Sequence, residues 1–170
     1  MKRSKLMIPA AALVIIVALF LSNGNRGEGQ GTETLTGQCT VAVYCGTALQ
    51  NIDLLSEEKR ELIPADGVLL QAQTVAFAPG ESAFDVLQRA LEDAGVHIQY
   101  NGTAAQQTAY IQAIGNLYEL DCGERSGWLY YVNRAYPEAG ISQQIVAEGD
   151  LFEWIYTCDY GEDIALEPLD

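Results

Sequence analysis

One amphipathic helix is the feature of this sequence that most constrains the fold. In residues 82–95, SAFDVLQRALEDAG, Ser82 is a favourable N-cap and Asp85 occupies the capping-box position three residues later. Gly95 is placed to end the helix in the left-handed conformation. Apolar side chains recur along one face at helical spacing: Phe84, Leu87, Leu91 and Ala94. This face must be buried against other elements, and the rest of the sequence predicts mainly strands.

The strand pattern is clearest at residues 39–45, CTVAVYC, which are β-branched and alternate. Val41 and Val43 point to one face and Thr40 and Ala42 to the other, as in a strand with one buried face. The other predicted elements are a short helix around 56–62 and strands at 72–80, 96–100, 109–114, 127–133, 143–147 and 151–158.

The order of these elements predicts an α+β fold. A single helix packed on a mixed sheet is a recognised layer architecture. A first hairpin, a crossover helix and a last strand lying parallel beside the first describe a β-grasp-like arrangement. We therefore expect a β-grasp-like mixed sheet with one main packed helix, preceded by an N-terminal hydrophobic segment.

The N-terminus predicts where the domain is located. Lys2, Arg3 and Lys5 precede the uncharged stretch 6–22, which is long for a signal-peptide core and short for a membrane span. As a signal peptide or as a membrane anchor, it places the rest of the chain outside the cytoplasm, tethered to the bacterial membrane or secreted if cleaved. The predicted organisation is 1–22 signal peptide or anchor, 23–37 Gly-rich flexible linker, 38–160 domain and 161–170 acidic tail.

Charge and motif content exclude several functions. The first three of the 9 basic residues precede residue 6, so the remaining six accompany 23 acidic residues in the exported part. Nucleic-acid partners need clustered Lys and Arg, and we predict none. His97 is the one histidine and we expect it to be structural; no catalytic constellation, metal-spaced cluster or cofactor motif stands out. We predict a protein that is not an enzyme.

The four cysteines are disulfide candidates, because exported domains favour disulfides. Cys39 and Cys45 would lie roughly 20 Å apart on one strand, too far to pair. In a β-grasp sheet, Cys45, Cys122 and Cys158 gather at one end, so we expect Cys158 to pair with Cys45 or Cys122. Cys39 has no predicted partner.

The region from Cys39 to about Asp163 resembles the DUF4430 family of bacterial surface proteins, whose domain is transcobalamin-like. The resemblance rests on five ordered segments: CTVAVYC, ELIPADGVLL, GESAFDVLQRA, YIQAIGNLYELDCGERSGWLYYVN and EGDLFEWIYTCDYGED. It implies a soluble-ligand-binding β-grasp domain, similar to the domain that covers one side of the vitamin in animal cobalamin carriers. The family usually has Asn-Gly after YV, whereas Arg134 follows Asn133 here. Because Arg tolerates positive φ poorly, we expect a longer or differently shaped turn.

The segment SGWLYYVNRAYPEAG carries the candidate ligand-binding residues. Either Trp128 with Tyr130 or Leu129 with Tyr131 faces the core, and the other pair is exposed with Tyr136. Rings with polar tips suit a binding rim, and cross-strand packing explains the same pattern. The candidate site residues are Trp128, Tyr130, Tyr131, Asn133, Arg134 and Tyr136.

Two functions are predicted. The first is an extracytoplasmic binding module for a soluble ligand, with cobalamin or another corrinoid as the candidate that the resemblance implies. The alternative is a cell-surface protein-interaction or adhesion module without a small ligand, with a surface protein or transporter as partner.

Overall fold

The structure is a computed structural model that describes residues 34–166. The predicted N-terminal hydrophobic segment lies outside the described residues. The strands are β1 Gly37–Tyr44, β2 Val68–Phe77, β3 Ile98–Asn101, β4 Tyr110–Ile114, β5 Leu117–Tyr118, β6 Gly127–Val132 and β7 Leu151–Thr157. The helices are α1 Gly46–Gln50, α2 Glu57–Arg60 and α3 Ala83–Ala94, with a 3₁₀ turn at Ile52–Leu54.

The main sheet has four strands in the order β2-β1-β7-β6. β1 pairs antiparallel with β2 and parallel with β7, and β6 pairs antiparallel with β7. A smaller sheet has the order β3-β4-β5. The mixed sheet, the crossover helix α3 and the parallel β1–β7 pair confirm the predicted α+β, β-grasp-like fold.

Helix α3 forms as its caps predict. The Ser82 side chain accepts from the Asp85 backbone N–H while the Asp85 carboxylate accepts from the Ser82 backbone N–H at 2.8 Å, and Gly95 has φ 67°. Leu87 and Leu91 are fully buried in the main core. Ala94 is exposed, so the predicted apolar stripe ends one turn early, at Leu91.

The predicted buried face of β1 is confirmed: Val41 and Val43 are fully buried, whereas the opposite face carries the exposed Gln38 and the buried Ala42. Two other strand predictions need correction. β2 begins at Val68 rather than at residue 72. Residues 143–147 do not form a strand: their ladder contact is an isolated bridge between Ile145 and Ser82.

The buried residues form two clusters. The larger joins one face of the main sheet to α3, and the smaller gathers around Cys45, Cys122 and Tyr156 at one end of β7. Within residues 34–166, no helix has the length and apolar character needed to cross a bilayer.

Candidate functional site

The register between β6 and β7 decides which aromatic face is core. Tyr130 is directly opposite Trp154, and their rings stack with centroids 5.8 Å apart. Both belong to the buried cluster that includes α3, and the Tyr130 hydroxyl donates to the carbonyl of Ala139. Trp128, on the same face, is half-buried and donates through Nε1 to the carbonyl of Leu117 at 2.9 Å. Of the two alternatives, Trp128 with Tyr130 faces the core.

The opposite face of β6 carries Leu129 and Tyr131, both half-buried. The Tyr131 ring meets the edge of the Tyr136 ring, with centroids 5.8 Å apart and an interplanar angle of 69°. Tyr136 is 65% exposed, which makes it the most accessible ring of the predicted rim.

The turn after β6 contradicts the expectation of a longer loop. Asn133 and Arg134 have φ values of 51° and 65°, and Val132 and Ala135 exchange backbone hydrogen bonds across them. This is a two-residue turn with both central residues left-handed, the conformation for which Asn-Gly is preferred. Asn133 stabilises it, because its amide accepts from the N–H of Leu151 and donates to Asp150, both at 2.9 Å.

Arg134 is held in this strained position beside a buried carboxylate. Its Nε lies 3.8 Å from Oε2 of Glu153, a residue that is only 6% exposed. Burial raises the pKa of Glu153 above its usual value, and the positive charge of Arg134 opposes this rise. The guanidinium therefore stabilises the ionised form of a buried acid, which an Asn-Gly turn could not do.

We expect Arg134→Ala to lower the free energy of unfolding at pH 7 by about 1–2 kcal/mol, because it leaves the Glu153 charge less compensated. Since the folded-state pKa of Glu153 is above its unfolded value, protonation favours the folded state as pH falls towards 4.5. The loss should therefore shrink between pH 7 and about pH 4.5. Urea melts across this range measure it, and the same substitution in a Glu153→Gln background is the control. A loss independent of pH would contradict the pairing.

A first cavity, here called the hairpin cavity, lies between β6 and the segment 136–141. Its volume is about 430 Å³. Trp128, Tyr130 and Trp154 supply ring surface to its wall, and Tyr136 lines it from the exposed side. The other lining residues are Ala109, Tyr110, Ile111, Leu129, Pro137, Glu138, Ala139, Gly140 and Ile141.

A second cavity, here called the tyrosine cavity, has a volume of about 460 Å³. It is lined by Leu129, Tyr131, Tyr136, Tyr160, Gly161 and Glu162. Leu129 and Tyr136 line both cavities, so the two cavities are adjacent and share the exposed Tyr136 ring.

The predicted site residues therefore divide into three groups. Trp128, Tyr130 and Tyr136 line the hairpin cavity, and Tyr131 joins Tyr136 in the tyrosine cavity. Asn133 and Arg134 line neither and instead build the turn. The sequence-based set missed Tyr110, Trp154 and Tyr160, which come from β4, β7 and the segment after β7. Trp154 and Tyr160 lie in strand-like and acidic segments without a distinguishing pattern, so only the sheet topology could have found them.

Three of the cysteines meet at one end of the sheet, as the strand order predicts, and Cys39 lies apart from them. Cys45, Cys122 and Cys158 pack together, and the thiols of Cys122 and Cys158 are hydrogen-bonded to each other. That hydrogen bond lowers the pKa of Cys122 and raises the pKa of Cys158. Cys39 is a buried thiol that donates to the carbonyl of Val75 at 3.6 Å, and burial raises its pKa to about 11.

The fold and the hairpin cavity together define the class: a β-grasp-like domain with an aromatic cavity. Residues 80–157, from the turn before α3 to the end of β7, match the family model described as "Domain of unknown function (DUF4430)". This match confirms the resemblance to that family over residues 80–157. No curated protein matches the sequence.

Solved structures resemble this chain at low identity. Haptocorrin in complex with Cbi is 12% identical, with a TM-score of 0.50, and the match covers 71% of this chain and 25% of haptocorrin. The chain thus spans about a quarter of haptocorrin's length. A protein from Ruminococcus gnavus ATCC 29149, described as a "putative metal binding protein", is 15% identical with a TM-score of 0.42; the match covers 72% of this chain and 97% of that one.

Proposed function

We propose that this domain is an extracytoplasmic binding module that takes one face of a soluble, ring-bearing ligand into the hairpin cavity, with a corrinoid as the candidate. The observation that carries the proposal is the cavity itself, since 430 Å³ falls within the range of small-molecule sites, about 300–1,000 Å³. The location outside the cytoplasm is supported by the sequence of residues 1–22 alone. The proposal is for binding and not for catalysis.

The lining favours a flat apolar surface over a polar ligand. The Tyr130 hydroxyl is engaged with Ala139, and burial, more than the nearby Tyr136, raises its pKa to about 12, so it stays neutral. The Tyr110 hydroxyl donates to the Glu119 carboxylate at 2.6 Å. Because these two hydroxyls already have partners, the tyrosines offer a ligand mainly ring faces and edges, which bind apolar planes well.

The site as described would cover part of a large ligand. A corrin macrocycle with its side chains exceeds the cavity, so the ligand would project past Tyr136 into solvent or onto a second surface. The match to haptocorrin, which leaves three quarters of that chain without a counterpart here, is consistent with such a partial site. We propose that a partner chain, such as another surface protein or a transporter component, supplies the opposing surface.

Corrinoid titration of the full-length protein in a maltoside detergent tests the proposal. The chain contains 2 Trp residues, and both line the hairpin cavity, so their fluorescence reports on this cavity directly. We expect saturable quenching by cobinamide, and Tyr136→Ala should weaken binding about tenfold, the effect of losing a well-placed aromatic contact.

Tyr160→Ala is the matched control, because Tyr160 lines only the tyrosine cavity and is 68% exposed, close to the 65% of Tyr136. Equilibrium dialysis read by corrinoid absorbance excludes inner-filter artefacts. An absence of saturable binding, or equal affinities for wild type and Tyr136→Ala, would contradict the proposed site.

A protein-interaction module is the second candidate, and the position of β6 favours it. Among the described strands β6 is an edge of the main sheet, with an outer pairing limited to the bridge between Val132 and Ala135. Exposed edges accept an added strand from a partner. Stable capture of one surface protein, unaffected by corrinoid, would favour this candidate.

A further inference from the structure

The tyrosine cavity is a second candidate binding site on a different face of β6. Three of its lining residues are tyrosines, Tyr131, Tyr136 and Tyr160, and a fourth is the exposed acid Glu162. Leu129 is the aliphatic side chain in the lining of this cavity. Electron-rich rings around a concave volume with a carboxylate at the rim are the elements of a cation-binding aromatic cage.

The walls of this cavity are set at an angle rather than stacked. The Tyr131 and Tyr136 rings meet at 69° with centroids 5.8 Å apart, so one presents a face where the other presents an edge. Tyr160 comes from the opposite side, on the segment that follows β7. Two of the rings therefore contact each other edge to face, and the Tyr160 ring lines the same cavity.

The segment carrying Tyr160 is fixed by its own hydrogen bonds. The N–H of Gly161 donates to the Thr157 hydroxyl at 2.7 Å, and the N–H of Cys158 donates to Asp163 at 2.8 Å. Gly161 has φ 94°, and a Cβ there would lie 2.8 Å from Leu129. Glycine at this position therefore allows the segment to approach β6 and close one side of the cavity.

The electrostatics of this end of the domain favour a cation. Arg125 pairs here with two carboxylates, Asp159 at 2.7 Å and Glu162 at 3.8 Å. The Arg125 guanidinium also lies over the Tyr160 ring, 5.0 Å from its centroid. The Arg125 guanidinium thus already makes a cation–π contact with one ring of the cavity. Because one basic residue faces two carboxylates, a net negative charge remains at this end.

We propose that the tyrosine cavity binds a small organic ammonium cation, of the quaternary or N-methylated type, between the rings of Tyr131, Tyr136 and Tyr160 with Glu162 at the rim. N-Methyl groups spread the positive charge over a weakly hydrated surface that fits ring faces better than a bare ammonium does. An anionic group on the same ligand would meet Glu162 and weaken binding. This site is independent of the corrinoid proposal, which concerns the hairpin cavity.

Choline is the probe, and its neutral isostere 3,3-dimethylbutan-1-ol is the matched control, because the two differ in charge and hardly in shape. With full-length protein in a maltoside detergent, we expect saturable choline shifts of the tyrosine ring resonances at millimolar concentration and at least tenfold weaker binding of the neutral alcohol. Phosphocholine should also bind several-fold more weakly than choline, since its phosphate is repelled by Glu162.

Variants locate the site. Tyr160→Phe keeps the ring and should retain binding within about twofold, whereas Tyr160→Ala should lose about tenfold and Glu162→Gln several-fold. Cobinamide binding to Tyr160→Ala should be unchanged, which separates this site from the hairpin cavity. Equal binding of choline and its neutral isostere, equal choline binding by wild type and Tyr160→Ala, or no choline binding would each overturn the proposal.

Discussion

Oxidised protein is expected to contain a Cys122–Cys158 disulfide that raises the free energy of unfolding by about 4 kcal/mol relative to the reduced protein. The two thiols are hydrogen-bonded to each other in the small buried cluster. The bond would close a loop of roughly 40 residues, for which the loss of unfolded-state entropy corresponds to about 4 kcal/mol. Formation transfers two electrons and two protons to an external disulfide oxidant, as in an exporting compartment.

Cys122 is the expected nucleophile in that reaction. Its hydrogen bond from Cys158 lowers its pKa, whereas burial raises the pKa of Cys45 to about 12 and keeps that thiol protonated. The sequence left Cys45 and Cys122 as alternative partners of Cys158, and these contacts favour Cys122.

Peptide mapping without reduction, followed by urea melts with and without dithiothreitol, measures the effect. Cys122→Ala should remove the response of stability to dithiothreitol, and Cys39→Ala, which alters a thiol at the opposite end of the β1–β7 strand pair from Cys158, should preserve it. Four free thiols after oxidising export, or a Cys45–Cys158 bond, would show that the pairing is wrong.

Leu91→Ala is expected to destabilise the domain by about 2–5 kcal/mol, the range for truncating a buried leucine. Leu91 is 0% exposed on the face of α3 that packs against the main sheet. The cost combines the lost burial of the side chain with the cavity left between helix and sheet, which cannot collapse because α3 is fixed at both ends by its caps.

Leu54→Ala is the matched control, because the same atoms are removed from a side chain that is 58% exposed, and the expected change is within about 0.5 kcal/mol. Tyr136→Ala, at 65% exposure, should behave like the control. If Tyr136→Ala melted as low as Leu91→Ala, the Tyr136 ring would be core packing, and its proposed role in ligand contact would be lost.

The sequence was most informative where interactions are local. Ser82, Asp85 and Gly95 determined both ends of α3, because each cap satisfies backbone groups within one turn of itself. Alternation likewise located β1 and β6 to within two residues at each end, since period-2 burial is a property of the strand itself. The resemblance of the five ordered segments to the DUF4430 family likewise predicted the arrangement of helix and strands over the whole domain.

Tertiary structure alone decided the site. Trp128 and Tyr130 face the core because Tyr130 is directly opposite Trp154 on β7, and such a pairing depends on register, which a single strand does not encode. The Asn133-Arg134 turn keeps its tight form because Glu153 and Leu151, nearly twenty positions along the chain, hold it from the neighbouring strand. Both cavities join residues far apart in sequence, and surfaces of this kind exist only after the sheet has assembled.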